Sequence, residues 1–384
     1  MRVLFVDDEV RVLEALERVL FDVEADWETS FASSAALAFS ELSKRGYDVV
    51  VSDLRMSGID GVALLTRVRE QFPATVRIVL SGHSDEEAAL KMVCVAHQFL
   101  AKPCAAETLH QIIARTEQLT RMLGDRKLQG IVGKVGSLPS PAHLHRELRE
   151  LLERDDASAA AVGSVIKQDP AMTSKLLQIA GSAFFNSSTS VTDVESAITR
   201  LGFRTLRNLS LGFGAFEAAP SGQASQGATI EALQLRSLSI ANTAAAMAKL
   251  PEDATAAYLA GLLCDVGQLV LASAAPERQY VTQAEALQSG VPAHVAEAST
   301  WGVTHAEIGA FLLGLWGLPF QIVEAVANHH APERYPDARV GIPQLVWLAA
   351  CIVDGEEPQP EAVHRFGVER LYETSRRAFE ESAP

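Results

Sequence analysis

Residues 49–61 read Val49-Val50-Val51-Ser52-Asp53-Leu54-Arg55-Met56-Ser57-Gly58-Ile59-Asp60-Gly61. Three valines in a row leave no polar face, which suits a strand buried on both sides, and the run stops at a carboxylate. Similar short apolar runs flank it at Val3–Val6, Ile78–Leu80 and Gln98–Leu100, with a weaker one near Thr29–Ala32. Amphipathic segments separate them. Val12, Leu13, Leu16, Val19 and Leu20 share one helical face, as do Val62, Leu65, Val68 and Phe72. Five alternations of strand and helix predict an α/β doubly wound, five-stranded parallel sheet over residues 1–120.

In such sheets ligands sit outside the carboxyl ends of the strands. Strand one ends in Asp7-Asp8-Glu9, strand three in Asp53, strand four in Ser81-Gly82 and strand five in Lys102-Pro103. Carboxylates, a hydroxyl and an ammonium therefore converge on one crevice. Oxygen ligands at that density suit a hard divalent ion such as Mg²⁺. A metal, a lysine and a hydroxyl around one spare carboxylate make a phosphoryl-transfer site, with the carboxylate as nucleophile and an acyl phosphate as product. One acidic strand end would be unremarkable in a polar loop. Matching chemistry at four of them is not.

The whole chain of 384 residues has room for two or three domains. Lys and Arg total 33 against 48 Asp and Glu, a net charge of −15, which disfavours nonspecific attraction to nucleic acid or anionic membrane. The four cysteines lack CxxC spacing, so neither a zinc ribbon nor a disulfide framework is expected. Asp7 and Asp8 interrupt the first apolar run too early for a signal peptide, and Asp265 breaks the most apolar region, 254–275. These features predict a cytoplasmic protein.

After Pro103 a helical pattern runs from Ala105 to Lys127. Leu109, Ile112, Thr116, Leu119 and Leu123 lie alternately three and four apart, either as a core-packing face or as the seam of a homodimer. Gly130–Pro141, rich in Gly, Ser and Pro, marks a boundary. Beyond it the strand pattern gives way to amphipathic helices, including single helices over Ile230–Lys249, Thr255–Ser273 and His305–Trp316, with a small-residue loop at Ala218–Gly227. The expected divisions are 1–120, a connector helix and linker at 121–135, an all-α domain at 136–335, and a C-terminal extension at 336–384 with a helix over Glu361–Phe379. The helical part carries its own polar groups: His305, the pair His329-His330, Cys264-Asp265 inside an apolar helix, and His294 and Glu297 three apart. Such N, O and S donors are either satisfied core residues or a metal site within a bundle.

VDDE at 6–9, SDLRMSGIDG at 52–61, LSGH at 80–83 and FLAKP at 99–103 are motifs in an order and spacing that resemble the response-regulator receiver domain, of flavodoxin-like fold. The resemblance implies Asp53 as phosphoacceptor and Asp7, Asp8 and Asp53 as Mg²⁺ ligands, with the main chain near Arg55 completing the shell. It also implies Ser81 and Lys102 as phosphoryl-binding groups and Ser81 and Phe99 as the switch pair. Its implied partner is a cognate sensor histidine kinase. Ser57 stands where many relatives have proline.

Residues from about 131 to 335 resemble the HDOD domain, a relative of HD phosphohydrolases, through KVGSLPSPAHL, IKQDPAMTSKLLQIAGSAFFN, VESAITRLGFRTLRNL, GLLCDVGQLVL, HAEIGAFLLGLWGLP and AVANHH. The hydrolases' His-Asp dyad reads Cys264-Asp265 here, and Arg236 takes the place of an earlier metal-binding histidine. A guanidinium has no lone pair for a metal. No GYP follows His329-His330. The resemblance thus implies a degenerate HD site (Arg236, Cys264, Asp265, His305, His329, His330) with no cofactor and an internal Arg236–Asp265 ion pair.

Three functions follow in order of support. The first is a phosphorylation-controlled regulator whose helical output binds another signalling protein, with a link to cyclic-di-GMP signalling. The second is a metal-dependent phosphohydrolase acting on a nucleotide or cyclic dinucleotide through His305, His329, His330 and Asp265. The third is a DNA-binding regulator, disfavoured because residues after 120 hold 21 Lys and Arg against 29 Asp and Glu.

Overall fold

A computed structural model describes residues 1–21, 27–82, 90–154, 156–182, 191, 193–212, 215–218, 224–335 and 339–382. Strands β1 (Arg2–Val6), β2 (Glu28–Ala32), β3 (Val49–Asp53), β4 (Val76–Ser81) and β5 (Gln98–Ala101) form one parallel sheet in the order β2-β1-β3-β4-β5. All five residues of β3 and all six of β4 are buried, the apolar runs Val49–Val51 and Ile78–Leu80 together with the polar Ser52, Asp53, Arg77 and Ser81. Helices α1 (Val10–Phe21), α2 (Ala35–Lys44) and α3 (Gly61–Gln71) follow the first three strands. Ser34 caps α2 by accepting from the Leu37 amide, and Asp60 caps α3 by accepting from Ala63.

The connector helix is shorter than its apolar pattern suggests. It spans Ala106–Leu123 and stops at Gly124, whose φ of 64° ends the helix. Asp125 then caps a second helix, Arg126–Gly133, which takes up the start of the expected linker. The buried face is Leu109, Ile113, Thr116, Leu119 and Leu123, with Ile113 rather than Ile112 at its centre. Leu119 sits over Gly314 of the helix His305–Leu315, where a Cβ would come within 2.6 Å of it. The seam is thus occupied within the chain rather than left for a second copy.

Among the described residues the regular structure of the remainder is helical, apart from a two-residue parallel pairing of Pro139–Ser140 with Glu217–Ala218. Of the expected loop at 218–227, residues 219–223 lie outside the described residues, and Ala224 opens a long helix, Ala224–Met247. The expected helix over 255–273 is two, Pro251–Leu263 and Val266–Ala274, broken at Cys264-Asp265. Residues 251–274 are long and apolar enough to cross a membrane by composition, yet 78% of the most apolar window is buried among the other helices. The expected C-terminal helix is also two, Pro360–Phe366 and Glu369–Ser382, separated by Gly367 at φ 61°.

The two halves share backbone contacts. A Cβ on Gly133 would stand 1.9 Å from the Pro73 carbonyl oxygen, and one on Gly136 would stand 2.3 Å from that of Cys94. Only glycine permits such approach, so residues 133–136 lie directly on the sheet domain.

Candidate functional site

The parallel register brings the strand ends together. Asp53 pairs with Leu80, and Ser81 pairs with Ala101. Lys102, just past β5, reaches back across the sheet. Its Nζ donates to Asp7 Oδ2 at 2.7 Å and contacts Asp53 Oδ1 at 2.8 Å. Asp7, Asp8 and Asp53 each present an oxygen within 4.8 Å of the others, and this all-oxygen set fits a hard ion such as Mg²⁺. Asp8 accepts from the Ser57 amide at 2.7 Å, which holds its carboxyl below the usual range against the effect of burial. Burial raises the Asp53 carboxyl although Lys102 pulls the other way. Burial works against the Lys102 ammonium, but hydrogen bonds to Asp53 and Asp7 raise it. Gly61 lets α3 begin against the Asp53 carbonyl, since a Cβ there would lie 2.0 Å from it.

The other residues expected at this site are close by but not all aimed into it. The Ser81 hydroxyl donates to the Gly82 carbonyl at 3.2 Å, while the Ser81 carbonyl accepts from the Lys102 amide at 2.8 Å. Phe99 is buried on β5, in register with Val79 of β4. Arg55 is exposed.

A second polar cluster lies inside the helical half. Arg236, from the helix Ala224–Met247, contacts the Asp265 carboxylate at the break between two helices, so the ion pair expected between them is present. The same guanidinium grips Asp354 as a fork, Nε to Oδ1 at 2.9 Å and Nη2 to Oδ2 at 2.7 Å. Sequence reasoning missed Asp354, which closes the helix Ile342–Asp354 and is 118 residues from Arg236. His305 opens its helix under a capping box of Thr304 and Glu307. Its Nδ1 lies 2.6 Å from Glu297 Oε2, and its Nε2 lies 3.4 Å from Asp265 Oδ1, 3.3 Å from His329 Nε2 and 3.2 Å from His330 Nε2. His329 Nδ1 meets the Val326 carbonyl at 2.8 Å, and His330 stacks on His294. Glu297 therefore orients His305.

These groups fix their own charges. Burial opposes the His305 imidazolium, but Glu297 and Asp265 push its pKa up to about 9. Burial also opposes the Asp265 carboxylate, yet Arg236 holds it well below the usual range. His329 is lowered to about 3 by burial and by the His305 charge, and burial pushes the Cys264 thiol well up. Three histidine nitrogens, and separately Cys264, Asp265 and His329, are close enough together to ligate a metal. However, a cation would have to displace the His305 proton, turn Cys264 into a thiolate and sit beside a guanidinium already bonded to Asp265.

A pH dependence follows. An unfolded histidine titrates near 6.5. The His305 contribution is full below that pH and is lost as the pH rises through about 9, on the order of 3 kcal/mol. The His329 contribution has the opposite sign, present above about 6.5 and lost as the pH falls toward 3. Denaturant unfolding should therefore show wild-type stability falling between about pH 6.5 and 9 through His305, and Glu297→Gln should flatten that alkaline limb. An equally steep alkaline loss in Glu297→Gln would refute the His305–Glu297 assignment.

Comparisons with known proteins match these two halves. The response regulator receiver domain family matches residues 3–114, and the HDOD domain family matches residues 138–332, half of the chain. An uncharacterized protein of Treponema pallidum is 28% identical over 257 residues, covering 65% of this chain and 47% of its own length. The hydrogenase transcriptional regulatory protein HoxA of Cupriavidus necator is 35% identical over 125 residues, 32% of this chain and 25% of its own. The chain thus spans between a quarter and a half of these two relatives. The MmoQ response regulator of Methylococcus capsulatus, a solved structure, aligns with a TM-score of 0.48 at 24% identity, covering 62% of this chain and 98% of its own. With a five-stranded parallel sheet carrying the receiver motifs and a helical body matched from 138 to 332, the chain belongs to the HDOD domain family, as a response regulator with an N-terminal receiver domain.

Proposed function

We propose that this response regulator accepts a phosphoryl group on Asp53 from a cognate sensor histidine kinase in the cytoplasm, and that the modification controls a non-catalytic HDOD output. The observation that carries the reading is the Lys102 ammonium bridging Asp7 and Asp53 at the carboxyl edge of the sheet, with Asp8 alongside. In the transfer, an Asp53 oxygen attacks the phosphorus of a phosphohistidine. The P–N bond breaks, its electron pair stays on the imidazole, and an acyl phosphate forms. Asp7, Asp8 and Asp53 would hold Mg²⁺, which supplies charge neutralisation at the phosphoryl oxygens. Lys102 exchanges one carboxylate contact for the new phosphoryl group, and the Ser81 hydroxyl turns from the Gly82 carbonyl toward it. Residues 1–120 act as receiver, 121–135 as connector, 136–335 as output and 336–384 as an extension.

The output acts by binding another signalling protein, within cyclic-di-GMP signalling by resemblance to the HDOD family, and not DNA or membrane. The converging histidine nitrogens favour one competing reading, a metal-dependent HD-type phosphohydrolase. Purified protein containing a stoichiometric divalent metal and cleaving a cyclic dinucleotide would establish that reading instead. The main test is size and partner binding with and without beryllium fluoride and Mg²⁺. A change is expected in the wild type and none in Asp53→Ala. The same mimic-dependent change in Asp53→Ala would sink the phosphoacceptor assignment, and no change in either protein would mean that the receiver is uncoupled from the output or a constitutive scaffold.

A further inference from the structure

Residues 93–97, the irregular stretch leading into β5, have five successive carbonyls, and each is taken by a side chain. Lys175 Nζ donates to Val93 at 2.6 Å, Arg69 to Cys94 at 2.8 Å and Arg77 to Val95 at 2.7 Å. Gln178 Nε2 donates to Ala96 at 3.3 Å and to His97 at 3.2 Å. Arg69 and Arg77 belong to the receiver. Lys175 and Gln178 belong to the HDOD helix Pro170–Ala180, every residue of which is buried.

Lys175 is an unusual residue to find there. A lysine is seldom fully buried without a partner of opposite charge, yet among the described residues no carboxylate lies within salt-bridge distance of it. Its ammonium is held by the Val93 and Gly136 carbonyls, by Gln178 Oε1 at 2.8 Å and by the Trp316 ring, 4.8 Å from its centre. Burial accordingly lowers it to about 8. Helix packing alone would be served by an apolar residue. What the ammonium and the amide add is a grip on receiver main chain that holds only while 93–97 keeps this shape.

That shape is tied to the phosphoacceptor site. The segment runs directly into β5, whose last residue pairs with Ser81, and the next residue is Lys102, bonded to Asp7 and Asp53. In this structure Lys102 is bonded to both unmodified carboxylates, Asp7 and Asp53, and the Ser81 hydroxyl donates to Gly82.

We propose that Lys175 and Gln178 form a latch that holds residues 93–97 in the unmodified conformation, so that modification of Asp53 and release of the HDOD helix from this edge are coupled. The proposal rests on the assignment of Asp53 as phosphoacceptor. By linkage, whatever stabilises the latched form must oppose the modified form to the same extent.

The test uses the full chain with beryllium fluoride and Mg²⁺, measuring affinity by calorimetry and hydrogen exchange by mass spectrometry. Lys175→Met and Gln178→Leu should each bind the mimic about fivefold more tightly than the wild type. In the wild type the mimic should accelerate exchange in 90–101 and 170–180. If Lys175→Met does not fold, Gln178→Leu decides the affinity question. If the wild type binds the mimic, but exchange in both segments is unchanged and a folded variant keeps wild-type affinity, the latch is overturned while Asp53 stands. If the wild type does not bind the mimic at all, the phosphoacceptor reading falls, and the latch with it.

Discussion

Replacing Arg236 with methionine is expected to lower the unfolding free energy of the HDOD domain by about 3–5 kcal/mol. Asp265 is 1% exposed, and the guanidinium in contact with it does most to keep it ionised, with the His305 imidazolium 3.4 Å away as the weaker partner. Asp354 depends on the other two guanidinium nitrogens. Methionine fills much of the same space but leaves one carboxylate buried and a second half-buried beside it. The penalty for an unpaired buried charge exceeds what the intact pair contributes. At about 2–4 °C per kcal/mol for a domain of this size, the midpoint should fall by on the order of 10 °C. Adding Asp265→Asn should recover part of the loss, because the orphaned charge goes with it. A shift below about 1 kcal/mol in the single variant would mean that water or another group takes over the guanidinium's role.

Gly267→Ala should be nearly as damaging. A Cβ at this position would lie 1.9 Å from the His305 carbonyl oxygen and 2.9 Å from the Gly309 amide nitrogen. Both obstacles are backbone, so no rotamer change relieves the clash, and the helices Val266–Ala274 and His305–Leu315 must move apart. Overpacking costs about 1–3 kcal/mol where side chains can yield, and this site should be at or above the top of that range. The variant should also disturb the polar cluster, since Gly267 sets the distance between Asp265 and His305. Moved from its carboxylates, His305 should lose its raised pKa, which a histidine-resolved NMR titration would read. A stable protein with an unchanged His305 titration would contradict the close-approach argument.

Much of the receiver was legible because its signals are local. Strand runs such as Val49–Val51 end on the residues that do the chemistry, and the parallel arrangement alone brings those ends together. The helix breaks were harder because apolar periodicity continues across them. Gly124-Asp125 did carry a stop and a start, a glycine suited to positive φ followed by a capping aspartate, and Gly367 carried a stop of the same kind. The Arg236–Asp265 pair could be inferred from the place each residue takes in the HD-like pattern. Asp354 could not, since nothing local ties it to a guanidinium 118 positions earlier. The carbonyls of 93–97 were invisible in principle, because every residue type has one. Lys175, the one charged residue in the helix Pro170–Ala180, was the available signal.

Leu119 over Gly314, and Lys175 among receiver carbonyls, have a practical corollary for dissecting the protein. A fragment ending after the connector helix would present Leu119 to water with its notch gone. The complementary fragment would carry the Lys175 ammonium with the Val93 acceptor missing. Each half completes the other's interior, so neither is expected to behave as the same domain when cut free, and solution properties of an isolated receiver or output would not simply add up to those of the whole.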